Sequence, residues 1–260
     1  MPFDSEEFNR RLFFSSPRAT SPPTGAVDLQ VQVPGASLHV RIHPAAAARW
    51  VLLLFHGNGE VVADYDDHAA LFARAGAALA VMDYRGYGAS TGTPTLRAAL
   101  TDAPLVLEAV RRWFGERRPS TGDSPSDRLV VMGRSLGSAC AAELYGTRPD
   151  GIAGFVLESG SSDLAGLVRR RGLAVPGDFS QDARRTFDPL PKLRRGNHPL
   201  LVLHGANDTM IAPAEAERAF ETAGTRKKKL VLIPGRGHND VSFADLYWTS
   251  LAEFLATLPP

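Results

Sequence analysis

Residues Val130 to Cys140 read VVMGRSLGSAC: an apolar run, then Gly133-Arg134-Ser135-Leu136-Gly137, then a string of small residues. A β-branched apolar run suits a strand covered on both faces, and the small residues after it suit a helix packed close against that strand. Between them stands one serine with a glycine two positions away on either side. Local propensity gives no reason to stop a strand there. A serine held on a very tight turn does, because the glycines leave room for a chain that passes close to its neighbours.

On both sides of this stretch, short and almost continuously apolar runs recur: Trp50–Phe55, Ala77–Met82, Arg128–Met132, Gly154–Leu157, Pro199–Leu203 and Lys229–Ile233. Segments with helical character separate several of them: Thr95–Phe114, Ser138–Tyr145, Pro213–Thr222 and Asp240–Leu258. Strand and helix in alternation predict an α/β class with a mainly parallel, doubly covered sheet. Two partly alternating runs, Asp28–Val33 and Ser37–His43, flank Pro34-Gly35-Ala36 and read as an antiparallel hairpin at a sheet edge. The stretch from Ser161 to His198 has no evident strand and carries Pro176, Pro189 and Pro191, so it is read as a short cap inserted into one domain spanning residues 1–260. Its eight basic residues against four aspartates suggest a solvated basic face or, more sharply, a preference for anionic substrates.

Composition narrows the function classes. The 260 residues carry 29 Lys and Arg against 28 Asp and Glu, a net charge of +1, which gives no electrostatic case for nucleic acid. A single cysteine, Cys140, excludes an internal disulfide framework and a cysteine-based zinc site. No run approaches the ~20 apolar residues of a membrane span, and the N-terminus does not read as a signal peptide, so a cytoplasmic protein without stable membrane insertion is expected. Phe8, Leu12, Phe13 and Phe14 with Arg10 and Arg11 read as a strap across the domain, with a surface anchor as the alternative. Tyr65-Asp66-Asp67-His68 lacks a second cluster to complete a metal site, and no metal or organic cofactor is expected. Arg226 to Lys229 reads as a solvated loop.

Gly133-Arg134-Ser135-Leu136-Gly137, placed after a strand and before a helix, has the context of a nucleophile elbow. A serine nucleophile needs a base, and the base needs an orienting acid. His238, in PGRGH after the last strand, is the candidate base. Asp208, in HGAND after the preceding strand, is the candidate acid, with Asp163 as the alternative. Ser135, Asp208 and His238 would all stand at the carboxyl ends of parallel strands, where open α/β sheets build their sites. His56 and His204 are read as structural histidines bracing their loops. His56-Gly57-Asn58-Gly59 follows the strand Trp50–Phe55, so the backbone N–H groups of Asn58 and Leu136 are the expected oxyanion donors, with Gly59 as a second choice. The loop lacks the third glycine of a dinucleotide fingerprint and no G-K-[ST] is present, which argues against a nucleotide site.

FHGNGE, DYRGYGAS, GRSLGS, LHGANDTMI and GRGHND, in this order, resemble the α/β-hydrolase superfamily, most of all its small branch of α/β-hydrolase-domain esterases and thioesterases. The resemblance covers about Asp28 to Leu258. It implies an eight-stranded sheet with Ser135, Asp208 and His238 as a catalytic triad, and a small-molecule acyl ester or thioester as substrate. Peptidases and amidases of the same fold are the alternative, and a binder without turnover is a more distant one. DYRGYG is read as structural, with Asp83 and Arg85 as a bracing pair. The Cys-rich N-terminus of the branch's eukaryotic depalmitoylases is missing, so depalmitoylation of membrane proteins is not expected. Oligomeric state is left open by the sequence.

Overall fold

A computed structural model describes residue 3 and residues 5–117, 128–170, 172 and 185–259. Among these, eight strands form one sheet: β1 (Val27–Val33), β2 (Ala36–His43), β3 (Trp50–Phe55), β4 (Ala77–Met82), β5 (Leu129–Arg134), β6 (Ile152–Glu158), β7 (Leu200–Gly205) and β8 (Lys228–Ile233). Their spatial order is β1-β2-β4-β3-β5-β6-β7-β8. β1 pairs antiparallel with β2, and β2 antiparallel with β4; from β4 to β8 every pairing is parallel.

The apolar runs form strands because both faces of each are covered. In β3 all six residues are buried, and alternate side chains enter different cores, as the period of two requires. Val51, Leu53 and Phe55 join a core with Val106 and Val110 of α3 (Leu96–Glu116) and Leu144 of α4 (Ser138–Thr147). Trp50, Leu52 and Leu54 face the other way, toward Phe72 of α2 (Ala69–Ala75) and Leu251 and Phe254 of α8 (Asp245–Thr257). Helix α1 (Glu6–Leu12) begins at Ser5, whose side chain accepts the Phe8 N–H. Phe8, Leu12 and Phe13 are buried and Phe14 is 55% exposed, so the N-terminal residues lie strapped against the body.

Between β6 and β7 stand α5 (Leu164–Arg170) and α6 (Pro189–Arg195), and α7 (Pro213–Thr222) separates β7 from β8. Helices α1, α2, α5 and α6 have seven residues each. Two turns are too short for an apolar stripe to declare itself, and packing rather than periodicity sustains such helices. The last helix starts at Asp245, five residues later than expected, because a 3-10 turn over Val241–Phe243 precedes it.

Two readings are corrected. Lys228 opens β8, one residue before the expected strand start at Lys229, instead of lying in a solvated loop, and its Nζ donates to the carbonyls of Phe220, Glu221 and Ala223 at the end of α7. Arg85 does not brace Asp83. Its guanidinium makes a two-pronged bond to Asp102 on α3, at 2.7 and 2.8 Å, because a planar fork matches a carboxylate it can reach face to face. Asp83 is turned into the interior, 2.9 Å from His39 Nδ1 and 3.3 Å from His56 Nε2.

Candidate active site

The β3–β5 register sets Phe55 beside Gly133, so the loop from His56 and the turn at Ser135 leave neighbouring strands at the same edge. The order reverses here, with β4 on one side of β3 and β5 on the other. Such a switch point opens a crevice at the carboxyl ends of the strands. Ser135 sits at φ 49°, in the left-handed region that a serine seldom adopts. A Cβ at Gly133 would lie 2.4 Å from the Gly137 carbonyl oxygen, and one at Gly137 would lie 2.0 Å from that of Phe55. Both glycines are therefore demanded by close backbone approach, and the serine between them is raised on the turn.

The other two loops arrive from β7 and β8. Gly205 pairs with Ile233 across the two strands, and Asn207 N–H donates to the Arg236 carbonyl at 2.8 Å, locking one loop to the other. His238 is thereby carried back over the strand ends. Its Nε2 lies 2.9 Å from Ser135 Oγ, and its Nδ1 lies 2.7 Å from Asp208 Oδ2. Asp208 is 4% exposed and His238 9%. Asp208 Oδ1 also accepts the N–H groups of Met210 and Ile211, both at 2.8 Å. Burial favours the protonated carboxyl, but the two imidazoles and the backbone donors outweigh it and hold Asp208 well below the usual carboxylate range. Asp163, the alternative acid, instead accepts the Gly166 N–H and pairs with Arg169.

Asn58, a proposed oxyanion donor, stands at the cavity beside Ser135. With Ser135, Leu136, Leu167, Phe187 and Ile211 it lines a cavity of about 50 Å³. Its side chain binds the N-terminal strap, donating to the Leu12 carbonyl and accepting the Phe14 N–H at 2.8 Å, and it accepts the Tyr87 hydroxyl at 2.7 Å. Of the apolar side chains that the sequence between Ser161 and His198 offers to an acyl pocket, Leu167 reaches this cavity. Val168, expected beside it, is buried in the core, while Leu173, Val175, Phe179 and the Leu164 side chain lie outside the described residues. Phe187 and Ile211 were not foreseen, since nothing in the local sequence aims them at Ser135.

Arg134 was also missed. Its guanidinium binds Glu60 in the loop after β3, Glu158 at the end of β6 at 3.1 Å and Asn239 beside His238 at 2.9 Å. Burial pushes the Glu158 carboxyl up from its usual range, opposed by Arg134 and by the Tyr247 hydroxyl that donates to it. The network ties three loops of the site together. Its partners lie 24, 74 and 105 residues from it in the chain, separations that no local pattern can report. Cys140, five residues after the serine, is buried, and burial pushes its thiol up to about 12. Among the described residues no group of three His, Cys, Asp or Glu is placed to hold a metal ion, and no helix is long and apolar enough to cross a membrane.

A buried chain of hydroxyl, imidazole and carboxylate beside an apolar cavity can deprotonate the hydroxyl as it attacks a carbonyl. A family model described as serine aminopeptidase, S33, matches residues 46–174. Protein bem46 of Schizosaccharomyces pombe is 29% identical over 213 residues, 80% of this chain and 68% of its own length. The α/β-hydrolase domain-containing protein aho-3 of Caenorhabditis elegans is 27% identical over 82% of this chain; the match spans only 60% of that relative's length. Among solved structures, an esterase of Pyrococcus furiosus superposes with a TM-score of 0.72 over 94% of this chain and 99% of its own, at 17% identity. At that identity the likeness speaks for the fold alone. The sheet order, the serine turn and the esterase superposition together give the chain the α/β-hydrolase fold, and its residues 46–174 are similar to the serine aminopeptidase family.

Proposed function

We propose that this protein is a serine hydrolase that cleaves acyl esters or thioesters through an acyl-enzyme on Ser135. The observation that carries the reading is the continuous path from Ser135 Oγ to His238 Nε2 (2.9 Å) and from His238 Nδ1 to Asp208 Oδ2 (2.7 Å). Ser135 Oγ attacks the acyl carbonyl carbon while its proton passes to His238 Nε2. The oxyanion that forms is held by the backbone N–H groups of Asn58 and Leu136, and Asp208 stabilises the imidazolium. The tetrahedral intermediate collapses, the bond to the leaving group breaks, and the alcohol or thiol departs with the proton from His238. Water then attacks the acyl-enzyme with His238 again as base, releasing the acid and restoring Ser135. The steps draw on side chains and backbone groups of this chain, and on no metal.

Of the described residues between β6 and β7, Leu167, Phe187 and Pro189 wall a shallow acyl site. Each methylene buried contributes about 0.8 kcal/mol until the pocket is full, and a cavity of about 50 Å³ fills early. Short to medium acyl chains are the preferred substrates. A second reading, an amidase or aminopeptidase, draws on the description of the matching family model. The test is a panel of p-nitrophenyl esters from acetyl to palmitoyl, with matched thioesters and aminoacyl p-nitroanilides. Best kcat/KM on short to medium esters or thioesters, falling toward palmitoyl, is expected. A steady rise to palmitoyl rejects the shallow site, and turnover of the anilides in preference to every ester establishes the second reading.

A further inference from the structure

His204 is the next-to-last residue of β7, four residues before Asp208, and is fully buried. Its Nε2 is 2.9 Å from the Ile211 carbonyl oxygen and 3.2 Å from Asp208 Oδ2. Both neighbours are acceptors only, so the proton stands on Nε2. Among the described residues Nδ1 has no hydrogen-bond partner, so a second proton placed there would be buried and unsatisfied. The ring thus presents its Nε2–H to these two acceptors and leaves Nδ1 without a partner. Its bond to Ile211 also acts on Asp208 indirectly, because the Ile211 N–H is one of the two backbone donors to Asp208 Oδ1.

We propose that His204 is a positioning residue for the acid of the site: its Nε2–H, shared between the Ile211 carbonyl and Asp208 Oδ2, clamps the loop and aims the carboxylate at His238. The inference rests on the triad reading above and adds to it a second imidazole on the same carboxylate oxygen. A donor at Oδ2 takes part of the negative charge that would otherwise act on His238 alone. Without it, Asp208 holds the His238 imidazolium more strongly, and the base becomes free only at higher pH.

The test follows the rate at which a fluorophosphonate labels Ser135 across pH, which needs no knowledge of the natural substrate. His204→Phe removes the donor. His204→Gln carries an amide nitrogen out to the place of Nε2, and His204→Asn carries one that falls short of it. The acidic limb of the labelling profile is expected to move up by about half a pH unit or more in the Phe and Asn variants. His204→Gln is expected to keep the wild-type limb. An unshifted limb in both His204→Phe and His204→Asn overturns the proposal, as does a shift in His204→Gln as large as that in His204→Asn. Thermal unfolding checks each variant, and the Gln and Asn pair decides if the Phe variant does not fold. A wild-type protein that takes no label rejects the triad reading itself, a result distinct from any difference among the His204 variants.

Discussion

Ser135, His238 and Asp208 lie 30 to 103 residues apart in the chain, yet they meet within 2.9 Å. Each carries its own local signal: glycines around the serine, a glycine-rich loop at the histidine, a strand-end loop at the aspartate. Their roles make a sharp prediction at the acid. Asp208→Asn keeps the shape of the carboxylate but offers an amide, which favours the wrong imidazole tautomer, and kcat should fall by about 10⁴. Asp163→Asn should stay within a few-fold of wild type, since Asp163 serves Gly166 and Arg169. The reverse pattern in steady-state rates would move the acid to Asp163. What the sequence could not declare at this scale is the second imidazole on Asp208. His204 reads as one more polar residue at a strand end, and its neighbour Ile211 becomes its partner only when the loop folds back.

At the level of elements, the strands were the legible part. Each parallel run is apolar because both of its faces are covered, and that leaves a continuous signature. The seven-residue helices left none. Nor did the pairing of Arg85 with Asp102 across helix and loop, where adjacency in sequence pointed to Asp83 instead. Asp83 in fact links β2 to the loop after β3, through His39 on one side and His56 and the Val62 N–H on the other. Burial opposes its charge, but the two histidines and the backbone donor win and hold the carboxyl at about 2 against a usual 3.8. A carboxyl depressed in the folded state stabilises the protein above its unfolded pKa, and that contribution disappears as pH falls through the folded value. On the order of 2 kcal/mol should therefore be lost between about pH 4 and pH 2. Urea unfolding of wild type and Asp83→Asn across this range measures it. The two stabilities should converge toward acid by about that amount, and parallel curves would remove Asp83 as the cause.

Over the whole molecule, the sheet order puts the chemistry at one edge and the charge balance says little about partners. The basic surplus between β6 and β7 is partly neutralised in place: Arg169 pairs with Asp163, Arg170 with Glu215, and Lys192 with Glu143. Among the described residues Arg169 and Arg170 are paired at the surface and Lys192 is buried with its partner, which speaks against a free basic face built to draw in anions. Fold class was readable because a doubly covered sheet repeats one pattern many times over. The shape of the cavity was not, because Leu96, Phe187 and Ile211 come to it from three separate parts of the chain. The central claim, that a strained turn presents Ser135 as the nucleophile, is tested most directly by labelling with a fluorophosphonate and mapping the modified peptide by mass spectrometry. The account predicts a single adduct on Ser135 in the wild type and none in Ser135→Ala. An adduct that persists in Ser135→Ala, or that maps to another residue in the wild type, would contradict it.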